Sequence, residues 1–239
     1  MIKPQLFTAR LADRLILNPK YQQLFFELTG PHLMEFEAGQ YVSIALPNSS
    51  DRRSYSICSG PAKNDGFQIV LDITPNGKGV QYLTGLKIAQ EIEFLAPLGV
   101  LIVPAELSSA PDQPLIFVAT GSGIGPFDSI LEDQLQTKQN KNEITLYWGM
   151  RHEDDLFWLD EFEEMMDAFP NFHFHPVLSQ PSSAWSLCRG HVTDCLLVHE
   201  QPANAHYFAC GGHSMVPDVE DLITKKQIPK TNIHVEKFF

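Results

Sequence analysis

Residues 115–127 read LIFVATGSGIGPF, and the reading of this stretch decides the fold. Leu115, Ile116, Phe117 and Val118 form a continuous apolar run of the kind a buried strand requires. The run passes into Gly121, Gly123 and Gly125 at alternate positions and then Pro126, which predicts strand, tight turn and helix start. Glycines let backbone approach a ligand closely, and the unpaired N–H groups at a helix N-terminus attract phosphate. Proline at the first helical position sacrifices no hydrogen bond. The spacing is not the G-x-G-x-x-G of a dinucleotide fingerprint, so the turn alone names no ligand.

Outward from this turn toward the C-terminus, strand patterns at 115–119, 144–148, 172–177, 206–210 and 233–235 alternate with helical patterns at about 127–138, 155–167, 192–199 and 214–226. Such alternation predicts a doubly wound parallel α/β sheet that binds its ligand at the carboxyl ends of the strands. Gly121–Gly125 follows one such end and Cys210-Gly-Gly-His213 another. Toward the N-terminus the period changes. Short alternating runs at 36–46, 54–58 and 67–73 recur between turn signals such as Asn64-Asp65-Gly66 and Pro75-Asn76-Gly77, with no full-length amphipathic helix. That half predicts an antiparallel β-barrel or sandwich. The polar segment ELSSAPDQP reads as a linker, giving a β domain at 1–105, a linker at 106–113 and an α/β domain at 114–239.

With 239 residues the chain can bury two ordinary cores. A net charge of -12 argues against non-specific binding of nucleic acid or anionic membrane. No apolar run reaches the ~18 residues of a membrane span, and no secretory leader is visible, so the expectation is a cytoplasmic protein without a membrane span. Cys58, Cys188, Cys195 and Cys210 lie far apart with no zinc or iron–sulfur spacing, and reduced thiols are the simplest account. His173 and His175 share a strand face but show no third ligand, so they read as surface or core residues and no metal is expected. The acidic group Asp160, Glu161, Glu163 and Glu164 reads as a solvated helix face.

Three motifs together carry a resemblance. Arg53-Ser-Tyr55-Ser56 is similar to an R-x-Y-S flavin motif, Gly121–Pro126 to a GTGIAP nicotinamide loop, and Cys210-Gly-Gly-His-Ser-Met215 to a C-G-x-x-x-M motif. In order and spacing the chain resembles the ferredoxin–NADP reductase superfamily along nearly its whole length. The resemblance implies a Greek-key flavin barrel followed by a nicotinamide-nucleotide domain. It implies that Arg53 meets the flavin pyrophosphate, Tyr55 packs on the ring and Ser56 bonds near its reactive nitrogen, with Arg52 a competitor for the phosphate. Thr74-Pro-Asn-Gly77-Lys78-Gly79-Val80 aligns with the second phosphate turn, where Val80 replaces a hydroxyl. Backbone N–H groups of Gly77, Lys78, Gly79 and Val80 remain to hold the phosphate.

By the same resemblance, Gly121, Gly123, Gly125, Pro126 and Gly211 receive the nicotinamide nucleotide, and Thr120 bonds near the nicotinamide or the flavin. Cys210 and Glu236 complete the hydride site, and Phe238 or Phe239 stacks on the flavin. The implied activity is hydride transfer from NADH or NADPH to FAD, or to FMN in its place, then electron delivery to a separate acceptor. That acceptor is a ferredoxin, an oxygenase or a haem component. A free-flavin reductase and a non-enzymatic redox-sensing subunit are the alternatives. NADH is favoured because Gln180 stands where NADPH-preferring relatives carry arginine. Trp185 and Gly190-His-Val192 resemble a further glycine-rich segment of the family, with Leu187 in place of its first glycine.

Overall fold

The computed structural model describes residues 2–199 and 202–237. It divides into two compact units, Met1–Val103 with Gly125–Thr137, and Pro104–Ile124 with Lys138–Phe239.

The first unit is an antiparallel six-stranded sheet of β1 (Gln5–Asn18), β2 (Tyr21–Gly30), β3 (Tyr41–Ala45), β4 (Arg52–Ser56), β5 (Gly66–Asp72) and β6 (Glu91–Leu98). Their spatial order is β4-β3-β6-β1-β2-β5. Just past β4, the Cys58 N–H donates to the Gln68 carbonyl at 2.8 Å, so the two outer strands meet and the sheet curls into a barrel. β1 and β2 form a long hairpin whose register shifts at three bulges, which supply the curvature. Inward-facing aromatics fill the interior. Phe94 stacks on Phe7 at 5.5 Å and meets Phe67 at 4.8 Å, and Phe67 lies against Phe26. One short helix, α1 (Lys78–Gly85), occupies a region that the sequence pattern leaves without a helix. Eight residues are too few to show amphipathic periodicity, and α1 draws support from elsewhere. Arg14 on β1 donates to the carbonyls of Leu83, Thr84 and Leu86, closing the C-terminal end of α1.

The second unit is fully parallel. It comprises β7 (Leu115–Thr120), β8 (Ile144–Met150), β9 (Phe172–Leu178), β10 (Cys188–Arg189), β11 (His206–Gly211) and β12 (Ile233–Lys237), in the order β10-β9-β8-β7-β11-β12. After β7 the chain winds outward to β10 and then returns to the other side of β7. The carboxyl ends of β7 and β11 therefore flank the topological switch point, where sheets of this kind bind ligands. Alternate residues face opposite layers. Ile116, Val118, Tyr147 and Tyr207 pack with α5 (Val192–Val198) and α6 (Met215–Lys225). On the opposite face Trp148, Phe162 and Phe174 form an aromatic cluster with α4 (Leu159–Ala168), which exposes its acidic residues. α4 begins later than the pattern suggests, because a capped 3₁₀ turn at Glu153–Asp155 ends at Leu156 before the helix restarts.

The segment read as a linker contains a short helix, α2 (Ala105–Ser109), whose carbonyls Leu107 and Ala110 accept from the Asn142 amide. The helix following the glycine turn, α3 (Gly125–Leu131), widens into a π-helical turn over Glu132–Thr137. It packs within the first unit. Ser129 donates to the Ser59 carbonyl at 2.8 Å, and the Gly60 N–H donates to Glu132 at 2.8 Å.

The expectation of four reduced thiols is corrected. Cys188 and Cys195 form a disulfide across a Cα–Cα distance of 6.0 Å, while Cys58 and Cys210 are free and buried. The left-handed turn at Gly190 (φ +99°) folds the edge strand β10 back onto α5, a closeness that separation along the chain does not reveal. Among the described residues no helix is long and apolar enough to cross a membrane.

The barrel core sets the stability of the first unit. Phe94→Ala, which removes a fully buried ring, is expected to cost about 3–5 kcal/mol, read as a lowered midpoint of chemical denaturation.

Candidate functional site

The candidate residues form two groups, one in each unit. In the first, α1 begins at the turn after β5. Gly77 is its N-cap, and no side chain caps the helix. The first intrahelical bond runs from Gln81 N–H to the Gly77 carbonyl, so the N–H groups of Lys78, Gly79 and Val80 have no partner within the helix. Gly79 lies directly against Arg53 and Tyr55, and a Cβ there would overlap the Tyr55 hydroxyl and the Arg53 stem. An uncapped helix start, a guanidinium and a phenol thus converge, an arrangement suited to a phosphate.

Each neighbour has a defined role. Arg53 is exposed and donates only to the adjacent Arg52 carbonyl among its described bonds. Arg52 turns the other way, onto Ser43 and toward Glu93, and so is occupied within the sheet. Lys78 pairs with Asp51 at 3.1 Å, and this pairing holds the Asp51 carboxyl below its ordinary range. Burial raises the Tyr55 pKa to about 12, keeping the phenol neutral. Val80 is partly buried and packs against the barrel core. Ser56 ends β4 and is buried, and its hydroxyl finds no hydrogen-bond partner. An orphaned buried hydroxyl costs free energy unless a ligand satisfies it. Gly125 leaves its open face toward Ser56 and Cys58, and Pro126 follows it at the buried start of α3.

In the second unit, the ends of β7 and β11 interlock. Gly123 packs so closely on the Cys210 carbonyl and Gly211 that a Cβ could not fit. The Gly212 N–H donates to the Thr120 hydroxyl at 3.1 Å, and Gly211 (φ +146°) lies against the same hydroxyl. Gly121 adopts φ +56°, and its carbonyl accepts from the Trp148 indole at 3.0 Å. Cys210 pairs in register with Glu236 on β12. Burial, reinforced by the charge of Glu236, pushes the Cys210 thiol well above its usual range. Burial also raises Glu236 to about 7, and one of its carboxyl oxygens is buried without a partner. Phe238 and Phe239 lie outside the described residues.

Residues 8–102 match the oxidoreductase FAD-binding domain, and residues 117–221 match the oxidoreductase NAD-binding domain. Over all of both chains, this sequence is 30% identical to ferredoxin–NADP reductase B of Sorangium cellulosum. The chain belongs to the ferredoxin–NADP reductase superfamily. It is a flavin-dependent NAD(P)H oxidoreductase, with FAD and NAD(P)H as its cofactors. It is also 29% identical to the reductase component of a Pseudomonas phenol 2-monooxygenase, matching 93% of this chain and 63% of that one. Among solved structures, an Amycolatopsis cytochrome P450 reductase superposes with a TM-score of 0.89 at 26% identity, covering 98% of this chain and 70% of that one. The ferredoxin–NADP reductase of Neisseria gonorrhoeae shares the fold, with a TM-score of 0.78 over the full length of both chains at 21% identity.

The reductase's residues fit FAD on two independent observations, the orphaned Ser56 hydroxyl and the uncapped start of α1 seated on Arg53 and Tyr55. Sequence reasoning missed three supports of this site. Arg14 holds the far end of α1, Ser59 and Glu132 seat α3, and Trp148 fixes Gly121. Each acts through long-range hydrogen bonds between a side chain and backbone, which no local spacing announces.

The Glu236 carboxyl holds a proton more firmly in the folded chain than in the unfolded one. Its stabilising contribution is therefore complete below about pH 4.5 and is lost as pH rises through about 7. Relative to Glu236→Gln, the wild-type chain should lose about 2 kcal/mol of stability between about pH 5 and about pH 8, allowing for partial solvent exposure. Denaturant titrations of both proteins across that range measure the difference.

Proposed function

We propose that this reductase prefers NADH and passes electrons to a separate redox protein, a ferredoxin or an oxygenase or haem component. The observation that carries the flavin site is the uncapped N-terminus of α1 resting on Arg53 and Tyr55. In this reading Arg53 and the N–H groups of Lys78, Gly79 and Val80 hold the pyrophosphate, with Lys78 otherwise committed to Asp51. Tyr55 covers the ring and excludes water, and Ser56 donates its unsatisfied hydroxyl to the ring edge. Bound FAD supplies the acceptor for a hydride and can release electrons singly or in pairs.

Thr120, Gly121, Gly123 and Gly211 receive the nicotinamide nucleotide, with Gly125 and Pro126 starting the following helix. Cys210 presents a neutral, weakly polar thiol beside the reacting ring. Glu236, titrating near neutrality, tunes the polarity around it. Rate enhancement then rests on positioning more than on acid–base chemistry. NAD(P)H as donor makes the cytoplasm the working compartment of this reading.

The preference for NADH rests on the loop after β9. Gln180 carries no charge, and its N–H and carbonyl are engaged by the Arg151 carbonyl and His152. Arg189 spends its guanidinium on the carbonyls of Ser182, Ser183 and Trp185. The Glu153 carboxylate accepts from the Ser182 N–H at 2.8 Å; the Ser182 side chain first, and then backbone N–H groups, hold its pKa low, and the charge is unfavourable to a ribose phosphate. A separate acceptor is favoured because Cys58 and Cys210 are buried singly and Cys188 is paired with Cys195, leaving no four-thiolate set for an iron–sulfur cluster. The names of the relatives, a ferredoxin–NADP reductase and a monooxygenase reductase component, point to the same acceptor classes.

The purified chain should be yellow, retain FAD through gel filtration and bleach with NADH under anaerobic conditions. Retention separates a prosthetic flavin from a substrate flavin, and loss of the flavin on the column would favour free-flavin reduction. Gly79→Val, whose side chain would occupy the space of Arg53 and Tyr55, should raise the FAD dissociation constant by at least about tenfold, read by flavin fluorescence. Steady-state kinetics should show a higher kcat/KM for NADH than for NADPH. Gln180→Arg should shift that ratio toward NADPH by about tenfold. Turnover assays with ferredoxin, cytochrome and free flavin then identify the acceptor.

A further inference from the structure

Away from the nicotinamide turn, the outer edge of the parallel sheet carries a group of side chains that the proposed activity does not use. Cys188 on β10 and Cys195 on α5 are joined as a disulfide. One helical turn beyond Cys195, on the same face of the helix, His199 turns its Nδ1 toward the Cys195 sulfur at 3.7 Å. The two sulfurs and one imidazole nitrogen all lie within 4.8 Å of one another. Cys195 is buried, whereas Cys188 and His199 are half-buried. Of the three, His199 also lines a cavity of about 260 Å³ together with His173, His175 and Glu143.

We propose that the reduced form of this cluster is a metal site for a soft or borderline divalent cation of the zinc class, held by Cys188, Cys195 and His199. Two thiolates and one imidazole are the donors such ions select over hard cations. Three protein ligands leave a fourth tetrahedral position for water or another exogenous ligand. The cluster then has two exclusive states. As a disulfide it has no thiolates to offer. A thiol reductant delivers two electrons to the sulfur–sulfur bond, its own two protons complete the thiols, and it leaves as its disulfide; a phosphine delivers the same two electrons while a water molecule gives its oxygen to the phosphine oxide and its two protons to the thiols. Metal binding then displaces those two protons as the thiolates coordinate. In either state a cross-link ties the two-residue strand β10 to α5 across the Gly190 turn, in place of the long ladder that such a short edge strand lacks.

Spacing alone hides the site. Two cysteines seven residues apart with a histidine four beyond match no common zinc pattern, and only the turn at Gly190 brings the first sulfur to the other two ligands. The inference does not depend on the acceptor or on the nucleotide preference.

The test uses the full chain, reduced with a phosphine, freed of reductant without oxygen and titrated with Co²⁺. The expected result is one equivalent of cobalt per chain. Difference spectra against the same flavin-containing sample should show thiolate-to-cobalt charge transfer and the intense visible bands of tetrahedral cobalt, and Zn²⁺ should abolish both. The unreduced chain should show neither band. Cys188→Ser, Cys195→Ser and reduced wild-type chain alkylated with iodoacetamide should lose the charge-transfer band. His199→Ala should weaken binding by at least about tenfold. Flavin content and NADH oxidation, read on the same samples, report on the cofactor sites independently of the metal. The proposal is overturned if the reduced chain gives no thiolate charge transfer, or if the band persists in the chain carrying both serine substitutions.

Discussion

No side chain fits between Gly123 and the carbonyl of Cys210, and the nucleotide half of the protein depends on that contact. Two parallel strands end side by side at the switch point, and the turn leaving one must pass over the end of the other. A Cβ at position 123 would force the strands apart. With glycine there, the Thr120 hydroxyl reaches the Gly212 N–H, Gly121 can adopt its left-handed conformation under Trp148, and Cys210 stays buried beside Glu236. The exposed backbone and the neutral thiol at this end of the sheet are thus consequences of close backbone packing.

The barrel solves a different problem by a related means. A phosphate needs unpaired N–H groups, and a helix start provides them only if something else supports so short a helix. Here β1 provides that support from the opposite end, through Arg14, while Gly79 lets the first turn settle onto Arg53 and Tyr55. Arg52 and Arg53 are adjacent in sequence but alternate across the strand, so one guanidinium is absorbed by Ser43 and the other stays exposed. Strand pleat therefore gives two neighbouring arginines different surroundings.

Electrostatics at the two groups differ in kind. The barrel group gathers positive partial charge in a chain whose net charge is -12, a local exception of the sort anion binding requires. At the sheet end burial dominates. It keeps the Cys210 thiol protonated and brings Glu236 to the middle of the physiological range. Hydride transfer moves no free proton between side chains, so a neutral, weakly polar lining suits it better than a charged one.

The amino-acid sequence by itself determined the two fold classes, because strand period, glycine spacing and the apolar run at 115–118 are local signals. It also singled out the glycines and the Arg-x-Tyr-Ser segment proposed here for the site, since each motif lies within a few consecutive residues. Only the tertiary structure decided the rest. The hairpin β1 and β2 is bulged, which blurs its alternation, and α1 is too short to declare itself. Arg14, Ser59, Glu132 and Trp148 act across separations of 27 to 72 residues, and no local pattern encodes them. The pairing of Cys188 with Cys195, against the expectation of free thiols, follows from one left-handed glycine that reverses the chain. Local periodicity specifies elements because it reflects each segment's own geometry. Partnerships between elements depend on where the whole chain places its backbone, and that information exists only in the folded state.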